Sequence, residues 1–171
     1  MTESGPIEVR QATADDAPAL LALRRVLAEE TDYLLPEPDE VPEAPDGLAE
    51  HLEMAAERGN CAWFITNVGG EPVGLLSVDG GRMKRNARTA RVFLGVARSY
   101  WGRGVGRELM LAAETWAKGA GLRRLEVTVM VHNERARKLY ERLGYEVEGL
   151  LRESLFVDGE PVDEYALAKL I

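Results

Sequence analysis

Residues 95–145 read GVARSYWGRGVGRELMLAAETWAKGAGLRRLEVTVMVHNERARKLYERLGY, and this stretch decides the fold. An apolar strand, Ala90 to Val96, runs into a turn in which Gly102, Gly104 and Gly106 alternate. Val105, Leu109, Ala112 and Trp116 then recur at helical spacing, and the helix ends at Gly119 or Gly121. Leu125 to Val131 reads as a strand. Asn133 opens a second helix through Ala136, Leu139, Tyr140 and Leu143, which Gly144 stops. Glycines remove side chains where a main chain must curl around a ligand. The helix that follows brings unpaired N–H groups and a partial positive charge to the same place. Arg103 and Arg107 add full charges. This design suits a pyrophosphate, although a tight strand-to-helix turn with no ligand uses the same residues. The dinucleotide fingerprint G-x-G-x-x-G fails, because Arg107 stands where its third glycine belongs. A P-loop fails for want of Gly-Lys-Ser/Thr.

The rest of the chain supplies a sheet around this unit. Ile7 to Gln11 reads as a first strand, and Thr13 caps a helix expected to begin near Ala14, with Ala17, Leu20, Leu21 and Leu27 on its apolar face. Leu34 to Pro45 carries four prolines among acids and reads as a long loop. A second helix is expected from Asp46 to Arg58, burying Leu48, Leu52 and Ala55. Ala62–Val68 and Pro72–Val78 flank Gly69–Gly70, a hairpin signal. Tyr145–Val157, bent at Gly149, and Val162–Leu170 flank Asp158–Gly159, a second hairpin. The order β-α-α-β-β-β-α-β-α-β-β describes a mixed α/β sheet with helices packed on it. The 171 residues form one expected domain, with its core between residues 7 and 170.

Composition excludes several classes. Apolar residues make up 46% of the chain, enough for a folded core. A net charge of −8 argues against nonspecific nucleic-acid binding. No apolar run approaches the length of a membrane span. MTESGPIEVR has neither a basic nor an apolar leader region, so the protein is expected in the cytoplasm. Charge is unevenly spread: eleven acids and no Lys or Arg lie between Val26 and Glu57, and eight bases and no acid between Arg82 and Arg107. The basic segment would attract a polyanionic cofactor and the acidic one a cationic acceptor, unless both are simply solvated surface.

Two motifs resemble the GCN5-related N-acetyltransferase (GNAT) family. The family's turn, Gln/Arg-x-x-Gly-x-Gly/Ala, here reads Trp101-Gly102-Arg103-Gly104-Val105-Gly106, with Trp101 in place of Gln or Arg. The second signature matches at Val129, Asn133, Ala136, Leu139, Tyr140, Gly144 and Tyr145. The resemblance implies a central, mostly antiparallel mixed sheet flanked by helices, with acetyl-CoA as co-substrate. It places the pantetheine arm along Leu94, Gly95 and Val96, where the central strands splay. The phosphates fall to Gly102, Arg103, Gly104, Val105, Gly106 and Arg107. It gives Asn133 a coenzyme A contact beside its helix-capping role. Such enzymes acetylate a primary amine by direct attack in a ternary complex. The tail LRESLFVDGEPVDEYALA, Leu151 to Ala168, is similar to the end of members that use small amines or amino acids. Protein N-terminal or lysine acetylation, and a non-catalytic acyl-CoA sensor, are the alternatives. Family members commonly dimerise, and the C-terminal strands offer an edge that a second copy could pair.

The chemistry assigns roles. Attack on a thioester expels a thiolate, whose thiol pKa is about 8.5 by comparison with cysteine. A phenol of pKa about 10 can protonate it, which makes Tyr140 the candidate acid, although a core-facing tyrosine is its plainer reading. Backbone N–H near Val96 would hold the oxyanion. No acid stands on the strand before the turn, so Glu126 is the substitute candidate for the general base, if a base is needed. Cys61 reads as a small buried hydrophobe. His51 and His132 have no Cys partners at metal spacing, so no metal site is expected. No G-x-S-x-G elbow is present.

Overall fold

The computed structural model describes residues 5–171; residues 1–4, which open the N-terminus read above as lacking a leader, lie outside the described residues. The elements are β1 (Glu8–Gln11), α1 (Ala17–Glu30), α2 (Asp46–Arg58), β2 (Cys61–Val68), β3 (Glu71–Gly80) and β4 (Thr89–Val96). Then follow α3 (Val105–Gly119), β5 (Arg124–Met130), α4 (Glu134–Arg142), β6 (Glu146–Val157) and β7 (Glu160–Leu170). This is the element order expected from the sequence. Among the described residues seven strands join one sheet in the order β1-β2-β3-β4-β5-β7-β6. Every neighbouring pair is antiparallel except β4 and β5, which run parallel.

The strands bury both faces at the centre, so β2 reads as a continuous apolar run with no alternation. On one face Leu76, Val78, Ala90 and Val127 pack under α3 through Leu109, Met110 and Ala113. On the other, Ile65 and Leu75 pack under α1 and α2 through Leu20, Leu27 and Leu52. Leu20 and Leu27 are almost wholly removed from water, and each such side chain contributes about 1.5–3 kcal/mol. Gly74 is where α3 approaches the sheet: a Cβ there would lie 2.9 Å from Leu109 Cδ1 and 3.0 Å from Val105 Cγ1. Beneath α3, Glu114 is 5% exposed and accepts from Lys169 Nζ of β7 at 2.7 Å.

Both hairpins are as expected. Gly69 and Gly70 have φ of 61° and 86°, and Asp158 and Gly159 have φ of 51° and 80°, the left-handed pairs that match strand twist. Three local features differ from expectation. Residues Ala14–Asp16 form a 3-10 turn, and α1 starts only at Ala17. The turn is closed by Thr13 N–H donating to Asp16 Oδ2 at 2.8 Å, while Arg10 grips the same carboxylate. The Pro-rich loop contains a short 3-10 turn, Pro38–Glu40. Arg25 ties the loop back to α1, donating to Pro42 O and Glu43 O, each at 2.7 Å. β6 shifts register at Gly149, as expected, and again between Leu151 and Leu155, where Glu153 adopts φ 49°. Its N–H donates to Asp163 Oδ1 at 2.7 Å, a partner visible only once β7 is in place. Among the described residues no helix is long and apolar enough to cross a membrane.

Candidate active site

The two edges of β4 are treated differently. Toward β3 it is registered from Ala90 to Val96. Toward β5 it is registered only at Thr89, Ala90 and Arg91. β5 stays with β7 over its whole length, so the two central strands part beyond Arg91. Ala97 N–H donates to Val73 O at 2.8 Å, toward β3. Across the trans peptide, the Val96 carbonyl therefore faces the open side. By the two-residue alternation Leu94 faces the same way, and the polar groups of Gly95 are turned to β3. The open edge thus belongs to Leu94 and Val96. Gly95 serves by lacking a side chain, since a Cβ there would fall 2.6 Å from Leu27 Cδ1 of α1.

Opposite this edge lies the glycine turn. Gly102 and Gly104 have φ of 73° and 88°, conformations that residues with a Cβ resist. Gly104 is the N-cap of α3 and brings no side chain to cap it. The Glu108 N–H closes on Gly104 O at 3.0 Å, so the N–H groups of Val105, Gly106 and Arg107 have no partner in the helix ladder. A Cβ on Gly106 would lie 3.1 Å from Leu139 Cδ2, so that glycine lets α3 seat against α4. Asn133 caps α4, its Oδ1 accepting from Ala136 N–H at 3.2 Å, which leaves its amide N–H₂ available.

These parts surround one cavity of about 460 Å³. Of the residues expected from the sequence, Leu94, Gly95, Val96, Gly102, Gly104, Val105, Gly106, Arg107, Asn133 and Tyr140 line it. Two do not. The Arg103 guanidinium lies over the Tyr100 ring, 5.1 Å from its centroid. Glu126 lies where β5 is still paired to β4, opposite Arg91, and its carboxylate accepts from Arg124 Nε at 2.7 Å. Arg124 is shared with Glu148. Among the described residues no Asp or Glu lines this cavity. Arg107 lines it while pairing with its neighbour Glu108 at 2.7 Å.

Tyr140 is 5% exposed, and burial pushes its phenol up to about 12. It therefore stays protonated throughout the neutral range. Transfer to a thiolate of pKa about 8.5 in water would be uphill, but burial in the same cavity raises a thiol as well. Its ring packs on Tyr145 at 5.8 Å, between α4 and the Glu114–Lys169 pair.

The wall supplied by α1 and the residues after it includes Leu27, Thr31, Tyr33 and Leu34, none of which the sequence singled out individually as a site residue. Nothing local marks them, since they reach the cavity only through the packing of α1 on β3 and β4. Arg142 was also missed, although it shares the helical face of Arg135 and Leu139, and that periodicity could have found it.

The arrangement fits a ligand with an anionic head and an amide-bearing arm: uncapped N–H groups at one end, an open strand edge along the middle, a proton donor at the far end. Comparison with known proteins agrees. The family model described as "Acetyltransferase (GNAT) family" matches residues 23–145. The L-amino acid N-acetyltransferase AaaT of Escherichia coli (strain K12) is 29% identical over 135 residues, covering 77% of this chain and 80% of that protein. The crystal structure of an acetyltransferase of the GNAT family from Streptococcus pneumoniae superposes with a TM-score of 0.93 at 27% identity, covering 97% of this chain and all of that one. The fold is also that of yncA from Salmonella typhimurium, solved with its cofactor acetyl-CoA (TM-score 0.85, 18% identity, 96% and 93% of the two chains). The chain belongs to the GNAT family of acetyl-CoA-dependent N-acetyltransferases.

Proposed function

We propose that this cavity holds acetyl-CoA and that the chain transfers its acetyl group to the primary amine of a small molecule or amino acid. The observation that carries the reading is the convergence, in one cavity, of the uncapped start of α3, the open edge of β4 and Tyr140. The bound donor supplies an activated acyl group as a thioester. The N–H groups of Val105, Gly106 and Arg107, with Arg135, take the phosphates. Leu94 and Val96 align the arm, the Asn133 amide donates to it, and the Val96 N–H faces the thioester oxygen. Tyr140 gives its proton to the departing sulfur.

The amine enters from the side of α1. A second cavity of about 250 Å³ adjoins there, and Thr31 and Leu34 line both. Its walls include Met130, Pro36 and Phe156, its rim carries Asp32, Glu37 and Asp158, and among the described residues no Lys, Arg or His lines it. This supports a cationic acceptor, whose surplus proton leaves toward those carboxylates or the solvent rather than to Glu126. The chain works as a single cytoplasmic domain. A second copy would pair along β6, an edge strand that exposes Val147, Leu150, Leu151 and Phe156; light scattering across a dilution series tests this, and an invariant monomer refutes it.

Thiol release from acetyl-CoA against a panel of amines, amino acids, polyamines and peptides tests the function, with calorimetry of coenzyme A binding beside it. Release with a small amine is the expected result. Tight binding with thiol release only when peptides are the acceptors would move the acceptor to protein, and no binding would overturn the reading of the glycine turn.

A further inference from the structure

Trp101 stands where the family pattern carries Gln or Arg, and the fold gives it a specific task. Its indole Nε1 donates to the Val96 carbonyl at 2.7 Å. That carbonyl is one of the few polar groups β4 presents on its open edge. With it taken, Leu94 and Val96 together offer one acceptor, the Leu94 carbonyl, and two donors, their N–H groups. The ring is also held from outside the strand. The Arg98 guanidinium lies 5.5 Å from the indole centroid and that of Arg135 4.9 Å. Arg98 is itself anchored, its backbone N–H donating to Glu30 Oε2 at the end of α1 at 2.7 Å.

We propose that Trp101 is a positioning residue that fixes the register of the acyl-pantetheine arm on β4; this rests on the acetyl-CoA reading above. Each amide of the arm brings one N–H and one C=O. With the Val96 carbonyl engaged by the indole, the Leu94 carbonyl beside it is the more open acceptor, so the register that places an arm N–H there is favoured. If the Val96 carbonyl were free, the arm could slide by one strand repeat, about 6.8 Å. The thioester would then miss Tyr140. A Gln or Arg at this position would be a contact to the cofactor; Trp101 instead acts on the strand that receives it.

Trp101→Phe separates the possibilities, because it keeps an aromatic ring for Arg98 and Arg135 while removing the indole N–H that reaches Val96. Three quantities are compared with the unsubstituted protein: Kd for coenzyme A and for pantetheine by calorimetry, kcat with acetyl-CoA, and coenzyme A-induced protection of the Leu94 and Val96 amides from hydrogen exchange. The expected result is an unchanged Tm, both Kd values within about threefold, reduced protection at Val96, and a fall in kcat between about ten- and a hundredfold, the scale of a misplaced reacting group. Unchanged kcat and protection would overturn the proposal. So would a loss of coenzyme A affinity with pantetheine affinity intact, which would make Trp101 a support for Arg135 at the phosphates. Should Trp101→Phe unfold, Arg135→Gln with the indole retained gives the second arm: pantetheine binding and Val96 protection should persist, and their loss would place the effect in the ring stack. Failure of the unsubstituted protein to bind coenzyme A would instead refute the cofactor reading.

Discussion

Strands β3 and β5 both border β4, but β3 follows it for seven residues and β5 leaves after three. The first edge is closed by ladder hydrogen bonds and buried beneath helices on both faces. The second is left open along Leu94 and Val96, and the cavity forms there. Unpaired backbone groups in a protein interior are costly. An open edge facing a cavity is tolerated because water or a ligand can satisfy it. The site is thus a region where the sheet withholds the pairing it completes elsewhere, and the stability lost there must come from its surroundings.

The comparison can be broken at several points. Tyr140→Phe acts at the far end of the open edge. It should lower kcat by about 10²–10⁴-fold, the usual contribution of a positioned acid, while coenzyme A binding measured by calorimetry stays within a few-fold. Equal activity would remove Tyr140 from the chemistry. Lys169→Met acts on β7, beyond β5, where the strands stay fully paired. It leaves the Glu114 carboxylate buried without its cation, and breaking such a pair costs about 3–5 kcal/mol. Urea unfolding should show this as a lower midpoint, and a change below about 1 kcal/mol would mean that water reaches the carboxylate and solvates it.

Gly95→Ala tests the closed face of β4, because its Cβ would meet Leu27 at 2.6 Å. Overpacking of that kind costs about 1–3 kcal/mol. Activity should fall with it, since α1 also walls the cavity. Retained stability with lost activity would show that α1 yields toward the site.

The smallest effect is on pH dependence. Burial raises the Tyr140 phenol from about 10, the value in an unfolded chain, to about 12. Burial also raises Tyr145, with added contributions from Glu114 and Tyr140. Above pH about 10 the unfolded chain releases protons that the native protein keeps, so stability should fall as pH rises from there through about 12. Below pH 10 these groups make no pH-dependent contribution. Tyr140→Phe should flatten part of the alkaline fall in Tm. An unchanged slope would mean that the phenol ionises in the native state as readily as in water.

Motif spacing made the element order, both hairpins and about half of the cavity lining legible in the sequence. Those features are local: glycines at required positive φ, an Asn at a cap, apolar residues at helical spacing. Glu126 shows the limit. Its place on a strand was readable, but its distance from the cavity was set by how far β5 stays paired with β4, and its carboxylate by Arg124 on the same strand. Arg103 shows the same limit at a turn, where its guanidinium lies over the Tyr100 ring and not along the cavity.

By itself the sequence determined the family, the glycine turn and the Asn133–Tyr140 helix, because each depends on residues close together in the chain. Only the tertiary structure decided where the strands part, that α1 and Tyr33 wall the site, and that Trp101 closes the Val96 carbonyl. These depend on which segments of the chain meet, and one-dimensional spacing does not carry that information.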